Sequence, residues 1–215
     1  MKEMLQKIDH TQLKAFATEA DIKKLCEEAI RYETASVCIP PAYIPYVKNH
    51  YEQLTVCTVI GFPLGYSTTE TKVFETKDAI EKGAEEIDMV INIGMVKNGQ
   101  FDAVLAEIKA VREACIGKTL KVIIENCYLT DEEKIRLCRI VTTAGADFIK
   151  TSTGFGTSGA TIEDIRLMKE NIGPDVKIKA AGGIRTKEAV EQYIREGCER
   201  VGASSTADFA EGNIK

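Results

Sequence analysis

Short runs rich in apolar and β-branched residues alternate along this chain with longer amphipathic stretches, and the alternation repeats eight times. The runs begin near Ile8, Ser36, Val56, Glu86, Lys121, Asp147, Lys177 and Arg200. Between them the apolar spacing becomes helical. Ile22, Leu25, Cys26, Ala29 and Ile30 follow Thr18 at the intervals of one buried face, and Phe101, Val104, Leu105, Ile108 and Val111 follow Gln100 and stop at Gly117. Thr130 and Glu133 have the spacing of a capping box, in which hydroxyl and carboxylate each satisfy an exposed backbone N–H. Gly83, Gly145, Gly173 and Gly197 fall where helices should stop, in the left-handed conformation that glycine tolerates.

Strand then helix, eight times over, requires a parallel sheet and an α/β protein. The first and last runs start 192 residues apart, about 27 for each of seven repeats. That is enough for a strand, a short loop, a three-turn helix and a return loop. Eight such units close into a (β/α)8 TIM barrel, here a single domain over residues 1–215. An open doubly wound sheet is the competitor. It usually carries a nucleotide loop after its first strand; no G-x-G-x-x-G follows Ile8–Thr11, and G-x-x-x-x-G-K is absent.

Composition narrows the function classes. The 28 Lys and Arg against 33 Asp and Glu give a net charge of −5, which argues against nucleic acid or an anionic membrane as the main partner. No apolar run approaches the 18 residues of a membrane helix, and the N-terminal residues lack the apolar segment of an export signal. The expectation is a cytoplasmic protein. Its seven cysteines, odd in number and without C-x-x-C spacing, then read as reduced thiols. Two histidines forty residues apart, His10 and His50, do not make an imidazole-based metal site.

Catalytic groups of a parallel barrel lie at the C-terminal strand ends, and alternate strand residues face the axis. In Glu86–Asn92, Ile87, Met89 and Ile91 suit the helix-facing side, which turns Asp88 and Asn92 inward. The same rule turns Lys150 inward beside Ile149, Lys179 inward beside Ile178, and Cys38 inward on Ser36–Pro40. Lys150 and Lys179 belong to neighbouring strands, about 4.8 Å apart. A lysine amine is nucleophilic only when neutral, and a second ammonium nearby, like desolvation, disfavours its charged form. Such a pair suits a Schiff-base lysine, with Asp88 moving protons. Lys177 shares the parity of Lys179, so parity alone does not select between them.

Two glycine-rich segments follow the last two strands: Gly182-Gly183-Ile184-Arg185 and Gly202-Ala203-Ser204-Ser205. Glycine lets backbone N–H groups approach an anion, and Ser204-Ser205 would open a short helix whose N-terminus favours negative charge. Phosphate sites in these barrels often use the loops after strands seven and eight. Gly154, after Lys150, can add a donor.

Lys150-Thr151-Ser152-Thr153-Gly154-Phe155 together with Lys179-Ala180-Ala181-Gly182-Gly183-Ile184-Arg185 closely resembles the deoxyribose-phosphate aldolase family. Ile8-Asp9-His10-Thr11, Glu86–Asn92 and Gly202–Ser205 match it in the same order, so the resemblance runs from Ile8 to about Gly212. It implies a metal-independent, cofactor-free class I aldolase that joins acetaldehyde to D-glyceraldehyde 3-phosphate. It also implies Lys150 as the Schiff-base nucleophile, Lys179 as the ammonium that lowers its pKa, and Asp88 as proton donor and acceptor. Gly154, Gly183, Ser204 and Ser205 would bind phosphate, with Gly182 and Arg185 close by. Cys38 matches an active-site cysteine outside the essential chemistry. The partners expected are small phosphorylated sugars and aldehydes, with a homodimer or higher homo-oligomer as the assembly. Some members end in a tyrosine that assists enamine protonation; here the last tyrosine is Tyr193 and the chain finishes Gly212-Asn213-Ile214-Lys215. Another phosphate-binding barrel enzyme, or a sugar-phosphate binding protein without catalysis, is the alternative.

Overall fold

The computed structural model describes residues 1–211; the 212–215 tail lies outside the described residues. Eight strands close into a barrel in sequence order: β1 (Ile8–Thr11), β2 (Ser36–Ile39), β3 (Val56–Ile60), β4 (Glu86–Val90), β5 (Thr119–Ile123), β6 (Phe148–Lys150), β7 (Lys177–Ala181) and β8 (Arg200–Ala203). All neighbours are parallel, and β8 pairs back onto β1. The helices are α1 (Lys2–Leu5), α2 (Glu19–Tyr32), α3 (Ile44–His50), α4 (Thr69–Glu81), α5 (Ile93–Lys97), α6 (Phe101–Ala114), α7 (Asp131–Thr143), α8 (Ile162–Asn171), α9 (Lys187–Glu196) and α10 (Thr206–Ala210). None is long and apolar enough to cross a membrane among the described residues.

Local chemistry sets the helix starts. Thr18, Thr68, Thr130, Thr161 and Thr186 each precede a helix and accept the backbone N–H three residues on. Asp21 and Glu133 return the bond, completing capping boxes at Thr18 and Thr130. Gly83, Gly145 and Gly197 stop their helices with positive φ. Gly173 does not: α8 ends at an extended Ile172, and a Cβ on Gly173 would lie 2.4 Å from Thr142 Cγ2. Its glycine serves close packing, not a left-handed cap. Ile30 is 41% exposed, so the buried stripe of α2 is narrower than its spacing suggests.

The apolar core lies between sheet and helices, where Ile8, Val37, Val56, Ile87, Met89, Val122 and Ile149 meet helical residues such as Ile22, Val104 and Ile165. Inside the barrel Cys38, Cys57 and Val59 form a small separate apolar cluster, with Leu13 and Phe62 against it, and Val90, Ile123 and Phe148 are buried on the inward parity of their strands. Barrels of this kind are usually filled by branched apolar side chains. Much of this interior is charged.

Candidate active site

Asp88, central in the barrel and without solvent exposure, takes four donors. Its Oδ2 accepts from Lys150 Nζ at 2.7 Å and Lys179 Nζ at 2.6 Å; its Oδ1 accepts from Lys121 Nζ at 2.8 Å and the Cys57 thiol at 3.2 Å. Lys150 and Lys179 are register partners on β6 and β7, as the parity of these strands requires. Asn92 departs from that expectation. β4 ends at Val90, and the Asn92 side chain caps α5 by accepting the Met95 N–H at 3.1 Å.

A further layer of charge surrounds this carboxylate. Lys179 also donates to Asp9 on β1, which accepts from Arg200 and, at 2.7 Å, from Ser36 Oγ. Arg200 and Lys121 both reach Glu86, at 2.9 and 2.6 Å. Burial pushes the Asp88 and Asp9 carboxyls up, but the lysine and arginine charges outweigh it and hold both well below the usual carboxylate range. Burial likewise favours deprotonating Lys179 and Lys121, yet the facing carboxylates hold both well above the ordinary lysine value. Lys179 is therefore a firm ammonium.

The sequence reading did not assign Asp9, Glu86, Lys121 or Arg200. Asp9 and Lys121 carry a signal: each is a charge on the inward parity of its strand, and Lys121 stands between the apolar Leu120 and Val122. Glu86 and Arg200 begin strands, where a charge reads as solvent-facing. Cys57 with Asp88 and Cys38, or with Asp9 and Glu86, brings candidate metal donors within 4.8 Å of one another. The Lys121 ammonium already bonds Cys57, Asp88 and Glu86, and so occupies the electrostatic role of a cation there.

Above the network a cavity of about 230 Å³ opens at the C-terminal strand ends. Lys150, 3% exposed, is the one member of the network on its wall. Gly154, Gly182, Gly183, Arg185 and Ser204 line it. Ser205 and Cys38 do not: Ser205 is the cap residue of α10, and Cys38 is buried under Leu13 and Phe62. Among the described residues the wall carries three cationic side chains, Lys14, Lys150 and Arg185, and no carboxylate. Among the described residues the backbone N–H groups of Gly154, Gly182, Gly183 and Ser204 have no backbone partner. Positive φ at Gly182 and Gly183 is what turns the chain there.

The loop after β6 contains a G-x-G-x-x-G run, Gly154 to Gly159. It does not open a helix, since α8 starts at Ile162, so it lacks the context of a dinucleotide loop. Packing explains its last glycine: a Cβ on Gly159 would lie 2.0 Å from Gly182 O. The buried Glu125, at the end of β5, braces the same loop by accepting from Thr153 N at 3.2 Å and from its hydroxyl.

Fold and site define a parallel α/β barrel with a buried amine–carboxylate network beneath a cationic mouth. The DeoC/LacD family aldolase pattern matches residues 3–214, and the chain belongs to that family of aldolases. It is 58% identical over 211 residues to the deoxyribose-phosphate aldolase of Clostridium botulinum strain Alaska E43, covering 98% of this chain and 96% of that one. With the Bacillus subtilis strain 168 deoxyribose-phosphate aldolase it shares 56% over 208 residues, 95% of this chain and 93% of the other. The tetrameric deoxyribose phosphate aldolase structure from Aeropyrum pernix superposes with a TM-score of 0.92 at 30% identity, over 99% of this chain and 92% of that one.

Proposed function

We propose that this aldolase reversibly joins acetaldehyde to D-glyceraldehyde 3-phosphate, giving 2-deoxy-D-ribose 5-phosphate, with Lys150 as the Schiff-base nucleophile. The observation that carries the reading is the position of Lys150 Nζ: it alone of the buried network reaches the cavity, and it shares Asp88 Oδ2 with Lys179. Asp9, Glu86 and Asp88 are matched in number by Lys121, Lys179 and Arg200. Lys150 is the fourth cation, and its proton can leave without unbalancing the rest.

In the cleavage direction the Lys150 amine adds to C1 of the open-chain sugar, and loss of water gives an iminium. Lys179, held as an ammonium behind Asp88, is the proton source, and Asp88 between the two amines carries the proton toward the oxygen departing at Lys150. The C3 hydroxyl gives up its proton as the C2–C3 bond breaks, and the bonding pair moves into the iminium to form an enamine. Protonation of that enamine and hydrolysis release acetaldehyde and restore the amine. The unpaired N–H groups of Gly154, Gly182, Gly183 and Ser204, with Arg185, suit the phosphate. Binding that end orients the reacting carbons.

The physiological direction proposed is catabolic cleavage of deoxyribose phosphate in the cytoplasm. A homo-oligomer is favoured by the tetrameric Aeropyrum pernix relative. Incubation with acetaldehyde and borohydride should fix an N-ethyl group on Lys150, mapped by peptide mass spectrometry. Labelling elsewhere, or none, overturns the assignment.

A further inference from the structure

We infer that Lys14 is a specificity-determining residue that recognises the phosphate dianion, an inference that rests on the function proposed above. Its place in the barrel is the first reason. Strand β1 follows β8 around the closed sheet, so the loop after β1 stands beside the loop carrying Ser204, and that in turn beside the loop carrying Arg185. Lys14, Ser204 and Arg185 thus line one arc of the cavity wall.

The second reason is charge. Among the described residues Lys14 forms no ion pair; Arg185 forms none either. The nearest ring to the Lys14 ammonium is Phe16, 5.8 Å from nitrogen to centroid, which leaves its three donors available. Two cationic residues without an ion pair share this wall with four backbone N–H groups that have no backbone partner, and among the described residues the wall carries no carboxylate, which matches a ligand of charge −2.

The third reason is that the backbone beneath Lys14 is held. Gln12 N donates to Cys38 O at 3.0 Å, Lys14 N to Gln12 Oε1 at 3.2 Å, and Ala17 N to Lys14 O at 2.9 Å. Tyr43 anchors the far side through its hydroxyl on Ala17 O at 2.7 Å. A fixed root on a long, mobile stem suits a residue that reaches over a bound anion. Lys14 lies far along the chain from the glycine loops, and its residue type reads as ordinary surface lysine, so spacing alone does not find it.

Lys14→Met and Lys14→Arg, assayed for cleavage of 2-deoxyribose 5-phosphate and of free 2-deoxyribose, test the assignment. Lys14→Met should lower kcat/KM for the phosphorylated sugar relative to the free sugar by about tenfold or more, and Lys14→Arg should restore most of that ratio. An unchanged ratio, whether both activities fall or neither does, overturns it. Were the unaltered protein to cleave neither sugar, the proposed reaction would fail on its own. Calorimetric titration with inorganic phosphate then decides Lys14: binding weakened about tenfold in Lys14→Met supports the role, and equal binding or none overturns it.

Discussion

The molecule buries lysine against carboxylate in two places, and the two behave in opposite ways. Between α4 and α6, Lys72 meets Glu107 at 2.7 Å, with both side chains fully buried. Lys72 also donates to Gly65 O and Val90 O, and Glu107 accepts the Asn92 N–H at 2.9 Å, so every strong donor has a partner. Here burial outweighs the single opposite charge: it pushes the lysine down and the glutamate up, each toward its neutral form. In the barrel, several opposite charges face each group, and the same burial loses. Asp9 and Asp88 are held ionised and Lys121 and Lys179 protonated. A lone pair clamps two loops to the helix layer; a cluster maintains charged groups that can trade protons with an amine at the cavity.

The largest difference should appear on removing one lysine from each place. Lys150→Ala is expected to abolish aldol cleavage, a loss of roughly 10⁴-fold or more in kcat, with the fold retained in circular dichroism. Turnover surviving at even a few per cent contradicts the mechanism. Lys72→Met should do the reverse, costing about 3–5 kcal/mol of stability by stranding Glu107, with kcat per folded molecule little changed. Pairing it with Glu107→Leu should recover most of that loss in urea unfolding; no recovery would mean the site depends on more than the pair.

The smallest effect is in pH, and it separates the two places by sign. A carboxyl held low in the folded state stabilises above its unfolded value and loses that contribution as pH falls through the folded one. The stability gap between the unaltered protein and Asp9→Asn should hold steady down to about pH 4 and close only below it. Glu107 is held high, so its stabilisation belongs to the acid side and fades as pH rises through its folded value. The gap to Glu107→Gln should therefore narrow upward from about pH 4.5, by no more than about 1.4 kcal/mol per pH unit. Urea midpoints across pH 3–8 measure both, and gaps with the same slope would remove the distinction.

Strand parity made the heart of the barrel readable, because a period of two leaves one side of a strand for the axis. Asp88, Lys150 and Lys179 follow from it directly. The helix layer resisted, and α4 shows why. Phe74 is 72% exposed on this helix while Lys72 is fully buried, the inverse of what hydrophobicity assigns. The reason lies in loops that only the closed fold supplies: the carbonyls of Gly65 and Val90 and the Glu107 carboxylate converge where Lys72 sits. The brace of Glu125 on Thr153 and the contact of Gly159 with Gly182 are invisible to periodicity for the same cause, since each joins loops from different repeats.

The interior charges are also sorted by position along the chain. Asp9, Glu86 and Asp88 all come from the first four strands, and Lys121, Lys150, Lys179 and Arg200 all from the last four. Cut between β4 and β5, the barrel would fall into an acidic half and a basic half, each lining its interior with uncompensated like charge. Neither half can seal its own lumen. In the closed barrel the charges that join the two halves are the same ones proposed to move protons.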